Sequence, residues 1–120
     1  MPTPQQSTGQ YGETLAAQYL TERGYTITAR NWRCPAGEID IIAHDGGEWV
    51  FVEVRTRHAP NTDTAVESVT PRKQASMIAA AEAYLDAHDM ENVLWRIDLV
   101  VIALTSQGPQ IEIIHDAVGW

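Results

Sequence analysis

Apolar residues return at near-helical spacing over residues 10–23, at Leu15, Ala16, Tyr19 and Leu20, and Gly24 closes the run. That periodicity predicts a first helix. The pattern then shifts to period two. Residues 25–32 alternate and are rich in β-branched side chains, which predicts a strand. Residues 37–44 and 48–57 are two more strands, joined through Asp45-Gly46-Gly47 as a hairpin. Residues 58–69 contain Pro60, Asn61 and Asp63 and read mostly as a loop. Thr70-Pro71 is a helix start, a threonine cap followed by proline at the first helical position. That helix is expected to reach about Ala87, with Ala75, Ile78, Ala79, Glu82 and Leu85 along one stripe. Residues 94–104 form a strongly apolar strand, and residues 110–115 a short last one after the Gly108-Pro109 turn. The order α-β-β-β-α-β-β predicts a mixed β-sheet flanked by helices, an α/β sandwich rather than a doubly wound parallel sheet.

Three acidic residues stand where an apolar pattern should continue: Glu13 in the first helix, Asp40 in the second strand and Glu53 in the third. A buried charge is costly unless a partner or a metal offsets it. If Gly46-Gly47 forms a two-residue turn, Asp45 pairs with Glu48, and counting outward sets Asp40 opposite Glu53 and Glu38 opposite Arg55. Directly opposed residues share a face with β-carbons about 5 Å apart, so the two carboxylates would repel without a cation between them. Val50, Val52 and Val54 fill the other face. A loop longer by one residue would break this register. Hard divalent cations such as Mg²⁺ or Mn²⁺ take oxygen ligands, often one or two carboxylates completed by water and substrate phosphate. Asp40, Glu53 and the main-chain carbonyl of Val54 would make such a partial shell. The chemistry that fits best is metal-assisted phosphodiester cleavage. Glu13 alone reads as a glutamate favoured by a helix N-terminus; it joins a site only if its helix packs beside the hairpin.

Charge complicates that reading. The 120-residue chain carries 8 basic and 16 acidic residues, a net charge of −8, whereas nucleic-acid binders are usually basic. The few basic residues are grouped, however. Arg30 and Arg33 precede the hairpin, Arg55 and Arg57 leave it, and Arg72 and Lys73 begin the second helix. Were those ends to converge, they would form a basic rim for DNA around an acidic pocket. A single cysteine, Cys34, excludes an internal disulfide and a cysteine zinc cluster, and makes a reducing cytoplasm the expected setting. No apolar run approaches a membrane span. Residues 1–9 lack signal-peptide character and are expected to be a flexible lead-in to one domain over residues 10–120.

Several of these residues also carry a resemblance. Gly12-Glu13, Gly24-Tyr25, Arg30-Asn31-Trp32-Arg33, the run from Gly37 to Ala43 and Val52-Glu53-Val54-Arg55-Thr56-Arg57 resemble the YraN-like family of small bacterial proteins. Those are predicted endonucleases of the PD-(D/E)XK superfamily, similar to archaeal Holliday junction resolvases. The resemblance spans roughly residues 10–104, including Glu67-Ser68-Val69 and Arg96-Ile97-Asp98-Leu99-Val100. It implies a restriction-endonuclease-like fold, Asp40 and Glu53 as metal ligands, and Glu13 as an accessory acid. By the same resemblance the partners would be DNA, branched forms included, and a second copy in a homodimer, for which the final strand's edge offers a pairing surface. Arg55 stands at the superfamily's lysine position. Arginine keeps its charge and cannot act as a general base, so Arg55 is left to hold a phosphate or stabilise developing charge. Lys73, the only lysine, is an alternative source of the missing ammonium.

The remaining polar and aromatic residues favour structural roles. Asp98 shares a face with Arg96 and reads as a structural ion pair. His44, His58, His88 and His115 lack metal-ligand spacing, and Cys34, Ser7, Ser68, Ser76 and Ser106 lack nucleophile context. Trp32, Trp49, Trp95 and Trp120 read as packing residues. The rival to an enzyme is a non-catalytic module that binds nucleic acid or protein, in keeping with the acidic balance and with arginine at position 55.

Overall fold

A computed structural model describes residues 3–63 and 69–117. Glu67, Ser68 and Trp120 lie outside them, as does part of the expected loop. The elements are α1 (Pro4–Glu22), β1 (Thr26–Cys34), β2 (Gly37–Asp45), β3 (Glu48–His58), α2 (Pro71–Ala87), β4 (Leu94–Thr105) and β5 (Gly108–Ile114). The predicted order and sheet type are those observed. Five strands run in the order β1-β2-β3-β4-β5, with β3 and β4 parallel and every other pair antiparallel. The parallel pair requires a crossover, and α2 supplies it.

Alternation along β3 divides the core. Val50 and Val52, with Ile41, Ala43, Val100 and Ile102, pack against Ala16 and Leu20 of α1. Between them, Phe51 joins Ile39, Ile42 and Ile97 beneath Met77, Ala80, Ala81, Tyr84 and Leu85 of α2. One helix therefore covers each face of the sheet. The buried face of α2 is not the expected stripe: Ala75, Ala79 and Glu82 are exposed. In an alanine-rich helix the spacing of alanines has little contrast, and the bulk of Met77 and Tyr84 decides the rotation. Trp32, Trp49 and Trp95 pack around this second cluster.

The first helix starts at Pro4, six residues earlier than its apolar pattern suggests, so residues 4–9 are helical rather than a flexible lead-in. Thr3 and Gln6 form a reciprocal capping box, with Gln6 N–H donating to Thr3 Oγ1 (3.1 Å) and Thr3 N–H to Gln6 Oε1 (2.8 Å). The same helix ends as expected. Gly24 sits at φ 92° beyond it, and Tyr25 N–H reaches back to the Leu20 carbonyl (3.0 Å), closing the orphan carbonyls of the last turn. Among the described residues no helix is long and apolar enough to cross a membrane.

Candidate active site

The hairpin closes with Asp45 opposite Glu48, and the ladder continues to Ile41 opposite Val52. There it stops, one pair short of Asp40 and Glu53. β2 goes on pairing with β1, where Glu38 faces Arg33 and forms an ion pair with it (3.6 Å), so Glu38 does not pair with Arg55. As β2 and β3 part, a side chain replaces the next backbone partner: Val54 N–H donates to Asp40 Oδ2 at 2.9 Å.

The two carboxyl groups still meet. Burial, then a hydrogen bond and charge repulsion from Glu53, push the Asp40 acid up to about 7, against the opposing pull of the Val54 N–H and Lys73. Glu53 is itself buried, 7% exposed. Its neighbour is Lys73, whose Nζ lies 3.1 Å from Glu53 Oε2. The Thr70 cap sets that geometry, because its hydroxyl accepts the Lys73 N–H (3.2 Å) and fixes where α2 begins.

Glu13 reaches the pair from α1. Burial and the Asp40 charge raise its acid, while a hydrogen bond from Asn31 and the Arg30 charge lower it. Asn31 adopts φ 55°, a left-handed conformation that asparagine tolerates better than most residues. Helix α1 comes this close because position 12 is glycine. A β-carbon there would lie 1.8 Å from Thr56 Oγ1 and 2.8 Å from Thr56 Cβ. Gly12→Ala is therefore expected to push α1 off β3 and destabilise the protein by about 1–3 kcal/mol. Combining it with Thr56→Ala should recover part of that loss, and thermal denaturation of the single and double variants measures the coupling.

Glu13, Asp40, Glu53, Val54 and Arg55 line one cavity of about 630 Å³, together with Thr56, Arg57, His58 and the α1 residues Pro4, Gln5, Thr8 and Gly9. The basic residues expected at a rim do not all gather there. Arg55 and Arg57 line the cavity. Lys73 meets Glu53 from α2, and Arg30 stands beside Glu13 with Nη2 3.4 Å from Thr14 Oγ1. Arg33 is spent on Glu38, and Arg72 is exposed at the start of α2. His58, at the end of β3, lines the cavity as well. The first turns of α1 were not foreseen in its wall; their signal was the capping-box pattern Thr3-Pro4-Gln5-Gln6, which marks a helix start ahead of any apolar residue.

Asp98 lies elsewhere. It is fully buried, receives Arg96 Nε (3.0 Å) and Asp116 N–H (2.9 Å), and lies 3.1 Å from His115 Nδ1. Arg96 also donates to Glu48 (2.7 Å), Asp45 (3.0 Å) and the Tyr25 hydroxyl (2.9 Å). Burial disfavours the guanidinium charge, but the bonds to Asp98 and Asp45 outweigh it and hold Arg96 more firmly protonated than usual. This is a structural knot joining the hairpin turn, β1, β4 and the C-terminal segment.

Residues 12–102, which include every member of the carboxylate cluster, match the model of a family described as "Uncharacterised protein family UPF0102". The chain belongs to the UPF0102 family. A UPF0102 protein of Chloroflexus aurantiacus is 53% identical over 112 residues, covering 92% of this chain and 89% of the relative. One from Roseiflexus castenholzii is 49% identical over 108 residues, covering 89% and 87%. Another from Dehalococcoides mccartyi is 46% identical over 112 residues, covering 93% of both. The UPF0102 match begins at Gly12, the residue that lets α1 approach β3, and ends at Ile102 in β4.

Oxygen donors suit a hard cation here. Among the described residues no three carboxylate, imidazole or thiolate groups stand together as a complete ligand set. Two carboxylates forced together, one of them holding its proton to about 7, are nevertheless what a divalent ion needs when water and a phosphate complete its shell. The donor set fits Mg²⁺ or Mn²⁺ better than a softer metal.

Proposed function

We propose that this UPF0102 protein is a divalent-metal-dependent nuclease that hydrolyses DNA phosphodiester bonds, with branched or flap-like DNA as the natural class. The observation that carries this reading is the meeting of Asp40 and Glu53 in a cleft also lined by Glu13 and Arg55, with the Lys73 ammonium held on Glu53. Asp40, Glu53 and the Val54 carbonyl would hold Mg²⁺ or Mn²⁺. When bound, the ion supplies a polarised phosphoryl oxygen and a water of lowered pKa. The Val54 N–H orients the Asp40 carboxylate. Arg55, permanently charged, offsets charge gathering on the phosphoryl oxygens. Glu13 orients water on the α1 side. Lys73 supplies a compact ammonium from α2 in place of one at position 55. A reducing cytoplasmic setting and, for paired incisions at a branch, two copies acting together complete the reading.

The test is a panel of linear duplex, single strand, flap and four-way junction, incubated with Mg²⁺ or Mn²⁺ beside Asp40→Asn. Metal-dependent cutting that disappears in the variant supports the proposal. A folded wild type that cuts nothing on the panel refutes it and leaves a non-catalytic module of the same fold. Lys73→Ala is expected to lower the cleavage rate about a hundredfold, the scale for losing one cationic or hydrogen-bonding stabiliser of developing charge. Lys73→Arg should restore less than half of that loss on a logarithmic scale. An unchanged Lys73→Ala rate would remove Lys73 from the chemistry.

A further inference from the structure

The wall of the cleft opposite β3 is the N-terminal half of α1, and its shape bears on substrate. Gly12 rests directly on Thr56, closing the floor. Toward the N-terminus the helix leaves the sheet: Thr8 and Gly9 are half-buried, and Pro4 to Ser7 are exposed. The space left between this overhang and the end of β3 is the cavity of about 630 Å³. At the helical rise, the ten residues from Pro4 to Glu13 make a slot roughly 15 Å long. Basic groups along it are few. Arg55 and Arg57 line it, and Arg55 Nε is buried with no hydrogen-bond partner within the described chain. Lys73 and Arg30 are already engaged by Glu53 and Glu13.

Duplex DNA presents one phosphate charge per about 1.7 Å of axis, and proteins that grip it often neutralise six to ten phosphates. With a net charge of −8 and only Arg55 and Arg57 as arginines lining the slot, Arg57 also donating to the Thr56 carbonyl (2.8 Å), the described residues offer no such surface. Flexible single strands are accepted by short grooves that track the backbone. Resting on the nuclease reading above, we propose that the slot between α1 and β3 takes a single-stranded DNA segment, such as a flap or an unpaired end, and excludes intact duplex. Arg55 and Arg57 hold two or three of its phosphates.

Gly9 offers a clean probe. It lines the slot, and a β-carbon there would meet nothing within 4 Å. Gly9→Leu therefore fills the slot without disturbing the helix, where leucine is favoured over glycine. The experiment measures binding of a labelled twelve-nucleotide oligothymidine and a twelve-base-pair hairpin by fluorescence anisotropy. It uses full-length protein in EDTA, between 50 and 200 mM salt. The single strand is expected to bind at least tenfold tighter than the hairpin. Its log–log salt slope should be about −1.5 to −2, two to three contacts at about 0.7 each. Arg57→Gln should flatten that slope by about 0.7. Gly9→Leu should weaken binding at least tenfold with no loss of thermal stability. Equal or tighter hairpin binding, a single-strand slope steeper than about −4, no binding of either DNA, or an unaffected Gly9→Leu would each overturn the proposal. The two readings fail separately. Single-strand binding in EDTA with no metal-dependent cutting removes the nuclease and keeps the slot, whereas cutting of duplex alone removes the slot and keeps the nuclease.

Discussion

Arg96→Met is expected to lower stability by about 3–5 kcal/mol, the largest effect of any single substitution outside the carboxylate cleft. Its guanidinium is 14% exposed and meets three carboxylates. Asp45 and Glu48 can turn to water, being 40% and 34% exposed, but Asp98 cannot, being fully buried. Without Arg96 the Asp98 charge is left with the Asp116 N–H, His115 and the Tyr25 hydroxyl at 3.4 Å. The penalty is therefore mainly an uncompensated buried charge rather than the loss of an attractive pair. That distinction is measurable. Removing the charge as well, in Arg96→Met with Asp98→Asn, should recover a substantial part of the loss. Thermal unfolding is the readout, with the single variant melting about 10–20 °C lower. A double variant no more stable than the single one would place the loss in packing rather than charge.

Asp40→Asn is expected to abolish metal-dependent cleavage, by at least about a thousandfold, while leaving the metal-free protein as stable as the wild type or more so at pH 8. The sign follows from the acid itself. Asp40 ionises at about 7 in the fold, against an ordinary 3.8, so the folded state holds a proton that the unfolded chain has released. The stability this contributes is fully present below about pH 4 and is lost as pH rises through about 7. For Asp40, pressed against a second carboxylate, the loss is on the order of 2–4 kcal/mol. Glu13, also raised, acts in the same direction. Asparagine at 40 carries no charge, can still accept the Val54 N–H, and donates to Glu53. The stability difference between variant and wild type should therefore move in the variant's favour between pH 4 and 8. Excess Mn²⁺ should reverse it above pH 7, because a metal binds the ionised carboxylates of the folded state only. A variant that is less stable at pH 8 with an unaltered pH profile would contradict the buried, mutually repelling pair.

These two clusters show why some of the molecule is legible in one dimension. The Gly46-Gly47 turn, the Thr70-Pro71 helix start and the Gly24 stop are local chemistry, decided within a few residues of backbone. Each appears in the structure where the sequence places it. The ion pair of Asp98 with Arg96 is equally local, since residues two apart on a strand share a face. The early start of α1 was also written locally, in the Thr3–Gln6 capping box, but its first turns bury no large apolar residue and so leave no mark on the hydrophobic pattern.

Helical periodicity, strand alternation, and cap and turn chemistry determined the seven elements described, the hairpin register as far as Ile41 and Val52, and the candidacy of Asp40 and Glu53. Tertiary structure decided the rest. It chose the buried face of α2, because alanines fit either side and only Met77 and Tyr84 need the core. It parted β2 from β3 before the two carboxylates could pair, since β2 follows β1 and takes Glu38 to Arg33. It brought Glu13 in through the Gly12–Thr56 contact, and Lys73 in through a helix cap. Pairing within a hairpin is governed by a short loop and can be counted. The approach of a helix to a sheet depends on the volume and burial of residues distant in the chain, and no spacing rule encodes it.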